Sequence, residues 1–151
     1  IAATRDDEVV AGAVVDIVRG DVFSAAHGLG ARLDGSTIEP SAVTRLAESL
    51  IGTGFSYTSQ GRAAEAEYLA RVLPAGRDIR CFGSAALNLC WVGCGRLDGF
   101  YQRNMQYWDF SAGEIIAVEA GAAIVHPRPE NGRLMVVSGP GIHDELARLV
   151  S

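Results

Sequence analysis

Tyr107-Trp108-Asp109-Phe110-Ser111-Ala112-Gly113-Glu114-Ile115-Ile116-Ala117-Val118-Glu119-Ala120-Gly121-Ala122 decides how the rest of the chain is read. An aromatic pair and an acid open it, small residues and then Ile115, Ile116 and Val118 carry it, and Gly121 stops it. That is the punctuation of a buried helix of roughly three turns. Asp109 falls in the first turn, where a carboxylate can accept backbone N–H bonds and meets the positive end of the helix dipole. Helix N-termini also attract anions. A second role therefore stays open for Asp109, that of a metal ligand at the rim of a phosphate site.

Upstream lies Gly83-Ser84-Ala85-Ala86-Leu87-Asn88-Leu89-Cys90-Trp91-Val92-Gly93-Cys94-Gly95-Arg96-Leu97-Asp98-Gly99-Phe100-Tyr101. It reads as a tight strand-to-helix turn at Gly83-Ser84, a buried helix from Ala85 to Gly95, and a strand from Leu97 to Gln102. A strand ending at Phe82 and a helix beginning near Ala85 aim the backbone N–H groups of Ser84 and Ala85, with the Ser84 hydroxyl, at one small volume. Such a volume cradles an oxyanion or a polyol hydroxyl. A capped turn with no ligand is the alternative.

Together these two blocks resemble the C-terminal half of the inositol monophosphatase family, and the likeness extends more loosely back to Val10. The resemblance implies an α/β fold, a layered mixed sheet with helices like the C-terminal part of the inositol monophosphatase and fructose-1,6-bisphosphatase sandwich. It implies a magnesium-dependent phosphomonoesterase, a homodimer, and a metal-binding role for Asp109 that also touches the substrate's hydroxyls. The family's remaining metal ligands and the Thr that positions the attacking water lie in a Gly-Glu-Glu stretch and an Asp-Pro-x-Asp-Gly-Thr stretch, and this sequence contains neither. Both are expected to precede Ile1 in a longer polypeptide, with residues 1–151 as the C-terminal portion of the domain. No residue here stands as a catalytic group, and Asp109 is the sole expected Mg2+ ligand. Seven residues before the Asp, inositol-hydrolysing members carry a Glu that accepts bonds from inositol hydroxyls. Here that residue is Gln102, which keeps the length, loses the charge and gains two donors. Arg103 beside it adds a cation suited to a more acidic substrate.

Inositol 1-phosphate is the leading substrate by this resemblance, with histidinol phosphate, fructose 1,6-bisphosphate or another sugar phosphate as alternatives. A non-catalytic binding or assembly protein that keeps this half of the fold is the reading of a different class.

Composition fits a piece of an enzyme. The chain has 151 residues, enough for one sizeable core, with 48% hydrophobic content and 18 Gly. Its 13 Lys and Arg against 18 Asp and Glu leave a net charge of −5, which argues against nucleic acid or an anionic membrane surface as partner. No apolar run approaches the roughly 20 residues that span a bilayer. Three cysteines, with Cys90 and Cys94 four apart on one helix face, favour free thiols and a reducing cytoplasm. His27, His126 and His143 lack the short spacing of a zinc site.

In chain order, strands are expected from Ile1 to Thr4 and from Val9 to Ile17, the latter apolar on both faces and so central. A hairpin is expected at Asp34-Gly35, which makes the first 40 residues a β-meander. The α/β layer, 41–151, begins with a strand from Ser49 to Phe55. It opens into a small polar loop from Ser56 to Gly61, at the strand's carboxyl end where ligands usually bind, which makes Ser56 a candidate contact. A helix from Arg62 to Leu73 buries Ala63, Ala66, Leu69, Ala70 and Leu73 by their spacing. Asp78 to Phe82 and Ala123 to His126 read as strands, Pro127 to Gly132 as a loop, Leu134 to Ser138 as a strand, and Gly139 onward as a last helix through Leu149.

Overall fold

The computed structural model describes residues 1–129 and 133–151, so 130–132 of the expected Pro127 to Gly132 loop lie outside the described residues. Among the described residues, two five-stranded sheets and four α-helices build the fold. The first sheet is an antiparallel meander in sequence order: β1 (Ala2–Arg5), β2 (Glu8–Asp16), β3 (Asp21–Ala26), β4 (Ala31–Leu33) and β5 (Ser36–Thr37). Asp34-Gly35 makes the expected tight turn between β4 and β5.

The second sheet is mixed and ordered β7 (Asp78–Cys81), β6 (Leu50–Thr53), β8 (Gly99–Arg103), β10 (Leu134–Ser138) and β9 (Ala123–Val125). Its β7, β6 and β8 run parallel, and β10 pairs antiparallel with both β8 and β9. Every residue of β10 is buried. Met135 and Val137 enter one hydrophobic cluster while Leu134 and Val136 enter another, as the period of two requires of a strand covered on both faces.

Those clusters define the layers. Between the sheets lie α2 (Ala85–Gly93) and α3 (Tyr107–Glu119), where Leu89, Val92, Phe110 and Ile116 meet Phe23 and Ala25 of the meander on one side and Phe100 and Met135 on the other. On the far face of the mixed sheet, α1 (Ser59–Val72) and α4 (His143–Leu149) contribute Val72 and Leu146 against Ile51 and Tyr101. The helix pair is packed backbone to backbone: a Cβ at Gly113 would come 2.8 Å from the Ala86 carbonyl and 2.9 Å from the Leu89 Cβ.

Three expectations are corrected. β2 is central by pairing, yet only its Gly12 and Val14 side meets the helices; Ala13 and Val15 point outward, with Val15 53% exposed. Apolar composition on both faces identifies a strand flanked in its sheet and does not say what covers the second face. α1 begins at Ser59, three residues early, because Thr58 caps it by accepting from the Gly61 N–H at 3.1 Å. It also buries another face. Ala63, Ala66, Ala70 and Leu73 are exposed, while Glu65 and Val72 are buried with Tyr68 and Leu69 half-buried. Small alanines gain little from burial, so hydrogen bonding at Glu65 and the bulk of Val72 and Tyr68 fix the helix rotation. Short 3-10 turns at Leu46–Glu48 and Pro140–Ile142 were not anticipated from the sequence.

Candidate active site

The parallel strands β6, β7 and β8 all end at one side of the mixed sheet, and α2 and α3 both begin there. Between these ends lies a cleft of about 820 Å³. All five residues expected at a site line it: Ser56, Ser84, Ala85, Gln102 and Asp109. They come from three strand-to-helix regions, β6–α1, β7–α2 and β8–α3, spread over more than fifty residues, so the fold, not local sequence, gathers them.

Gly83 makes the β7–α2 turn at φ +83°, a conformation that only glycine adopts without strain. It delivers Ser84 as the N-cap of α2, whose Oγ accepts from the Leu87 N–H at 3.3 Å. The capped-turn alternative is thus present, and it coexists with the cleft: Ala85 and Ala86 lead the helix there, and the first amides of a helix have no intrahelical acceptor. Asn88, one turn on and 1% exposed, donates from Nδ2 to the Ser84 carbonyl at 2.8 Å and so locks the turn from below. Its Oδ1 is buried without a hydrogen-bond partner among the described residues.

Asp109 is the third residue of α3, and its Oδ2 accepts from the Gln106 N–H at 2.9 Å. It stands exposed at the cleft mouth. The lining carries two formal charges among the described residues, Asp109 and Arg103. Arg103 lies over the Tyr68 ring, 5.4 Å from its centroid, and donates to the Tyr68 hydroxyl at 2.6 Å. Gln102 leans over the β6–α1 connection, where a Cβ at Gly54 would overlap its amide. Ser56 lines the cleft too, but its N–H and Oγ–H are both donated to Glu65, at 2.7 and 2.6 Å. Its donors are spent on holding the chain.

Coordination by hard divalent cations takes several oxygens. The described residues hold no cluster of three or more His, Cys, Asp or Glu side chains able to bind a metal. The described residues thus offer Asp109 as one oxygen ligand and do not make a complete site. Several other titratable groups serve the scaffold. His126 meets Glu114 at 2.9 Å, and burial raises the Glu114 carboxyl above the usual range against the pull of His126. Burial pushes the Cys90 thiol far up, in keeping with an inert core cysteine, and Cys94 is half-buried. Cys81, at the end of β7, is exposed and lines the cleft.

The model of the inositol monophosphatase family matches residues 1–150. The chain belongs to the inositol monophosphatase family. An inositol-1-monophosphatase of Mycobacterium leprae is 47% identical over 154 residues, covering 97% of this chain and 53% of that protein. A Nus factor SuhB of Escherichia coli is 35% identical over 112 residues, covering 74% and 42%. Among solved structures, Mycobacterium tuberculosis SuhB superposes with a TM-score of 0.90 at 44% identity, across 99% of this chain and 61% of that one. The chain spans about half the length of the curated relatives it matches. The layered α/β fold is that of these family members.

Asn88, Gln106, Thr58 and Gly54 also line the cleft and were not singled out from the sequence. A signal existed for Asn88, which stands four residues after Ser84 on the same helix face. Thr58 stood in the polar loop from Ser56 to Gly61, and no local signal marked Gly54 or Gln106, whose place depends on where β6 ends relative to α3. No helix among the described residues is long and apolar enough to cross a membrane.

Proposed function

We propose that this chain is the C-terminal portion, carrying the substrate side, of a magnesium-dependent phosphomonoesterase of the inositol monophosphatase type. Its substrate is inositol 1-phosphate or a related sugar phosphate, and its setting is a cytoplasmic homodimer. The observation that carries the reading is the convergence of Ser84, Ala85, Gln102 and Asp109 on one cleft at the carboxyl ends of three parallel strands, the position where open α/β sheets bind ligands.

Each residue has a task that its geometry permits. The leading amides of α2 give N–H donors to a phosphoryl oxygen or a polyol hydroxyl. Gln102 offers an acceptor and two donors to ring hydroxyls. Asp109 would hold the cation through the carboxylate oxygen not bonded to Gln106. When bound, magnesium supplies charge neutralisation at the phosphoryl group and an activated water. The remaining ligands belong to parts of a longer polypeptide that also cover the outward apolar face of β2 and β3, where Val15 and Val22 are exposed.

The Nus factor name of the Escherichia coli relative favours, as a second reading, an assembly role that needs no turnover. The experiment is phosphate release by the full-length polypeptide from inositol 1-phosphate, histidinol phosphate and fructose 1,6-bisphosphate, with and without magnesium, beside the 151-residue chain alone. Magnesium-dependent turnover by the first and none by the second is expected. Turnover by the 151-residue chain alone would refute the shared site, and none by the full-length protein would leave the assembly reading standing.

A further inference from the structure

The β6–α1 connection forms a whole wall of the cleft, with every residue from Thr53 to Thr58 lining it. Past Thr53 it has no ladder or helix bonds of its own until α1 begins. What fixes it is the first two turns of α1. Glu65, 5% exposed, receives the Ser56 N–H on Oε2 at 2.7 Å and the Ser56 Oγ–H on Oε1 at 2.6 Å. From the solvent side Arg62 donates to the carbonyls of Ser56 and Tyr57, at 3.2 and 2.9 Å. Gly61 leaves the room for this, since a Cβ there would come 2.5 Å from the Ser56 Cβ.

A buried carboxylate is costly unless it is paired or fully hydrogen-bonded, and an apolar residue of similar volume packs at less cost. Glu65 makes no ion pair among the described residues. Its compensation comes from one residue of the cleft wall. The same wall touches Gln102 at Gly54, so a shift of the wall also moves the support on which Gln102 leans.

We propose that Glu65 is a positioning residue for substrate binding: through Ser56 its carboxylate sets the conformation of residues 54–58 and thereby the seat of Gln102. This rests on the cleft being the substrate site. What the wall supports is Gln102, the group placed to bind ring hydroxyls, so it governs binding more than turnover.

The test uses the full-length polypeptide with Glu65→Leu, which keeps the volume and removes both acceptors, and Glu65→Gln, whose amide can accept the Ser56 N–H and donate to the Ser56 hydroxyl. Glu65→Leu is expected to raise KM for inositol 1-phosphate about tenfold or more with kcat within about threefold, the pattern of lost ground-state and transition-state binding alike. Glu65→Gln is expected to restore KM to within about threefold of wild type, because the geometry survives without the charge. Amide exchange at residues 56–58, which needs no substrate, should quicken about tenfold or more in the Leu variant and stay near wild type in the Gln variant. An unchanged KM in Glu65→Leu, equal defects in both variants, or unchanged exchange would overturn the proposal. If the wild-type protein hydrolyses no phosphate ester, the phosphatase reading fails, and the exchange measurement still passes or fails the clamp.

Discussion

Replacing Asp109 by Asn separates the two roles its position allows. The hydrogen bond that Asp109 Oδ2 accepts from the Gln106 N–H, 2.9 Å long, survives on the amide oxygen, and Asn caps helices about as well as Asp. What is lost at the helix start is a charge facing the dipole, about 0.3–1 kcal/mol at an exposed site, plus a few tenths for weakening the bond to a neutral acceptor. The total is about 1 kcal/mol, or roughly 2–4 °C in Tm for a protein of 150 to 250 residues. As a metal ligand the same residue costs far more. Changing mere outer partners of metal ligands costs about 10–100-fold, so loss of a direct carboxylate ligand should cost at least about 100-fold in kcat/KM, some 2.7 kcal/mol of transition-state stabilisation. The assay is kcat/KM of the full-length variant on inositol 1-phosphate across a magnesium titration, beside its thermal midpoint. A variant that melts within a few degrees of wild type and turns over within threefold at every magnesium concentration would reduce Asp109 to a cap.

Gln102→Glu should shift the ratio of kcat/KM toward inositol 1-phosphate and away from fructose 1,6-bisphosphate, through the added negative charge; an unchanged ratio places Gln102 outside the pocket. Gly113→Ala should destabilise by about 1–2 kcal/mol despite a helix-propensity gain of about 1, because the new Cβ meets backbone and Cβ atoms of α2 at 2.8–3.1 Å; an unaltered denaturation midpoint would show that α2 and α3 separate freely. Glu119 ends α3 by accepting the N–H groups of Gly28 and Gly30 at 2.9 and 3.0 Å, and these bonds, that from Gly28 first, hold its carboxyl below the usual range. A depressed acid contributes stability that is present above the ordinary Glu range near pH 4.3 and lost as pH falls through the folded pKa. Urea midpoints between pH 3 and 7 should therefore fall less steeply on the acid side in Glu119→Gln, and parallel curves would contradict it.

The order of elements was largely legible in the residues themselves. Gly121 closing α3, Asp34-Gly35 turning β4 into β5, and the apolar run of β10 each carry a local physical reason, in backbone conformation or side-chain period, that survives any packing. Asp109 and Ser84 were legible for the same reason, since helix starts announce themselves. Wherever burial was decided by a partner distant in sequence, the residues alone fell short. The rotation of α1 was set by Glu65 finding the Ser56 N–H and hydroxyl, a bond between a helix and the loop before it that no spacing of alanines reveals. The open side of β2 reads as apolar whatever covers it. Ser56 earned its place from its loop, yet only the folded chain shows its donors turned to Glu65. The cleft itself exists because β6, β7 and β8 run parallel and end together against the starts of α2 and α3; a sequence states where each strand stops, and only the sheet order determines which ends face one another.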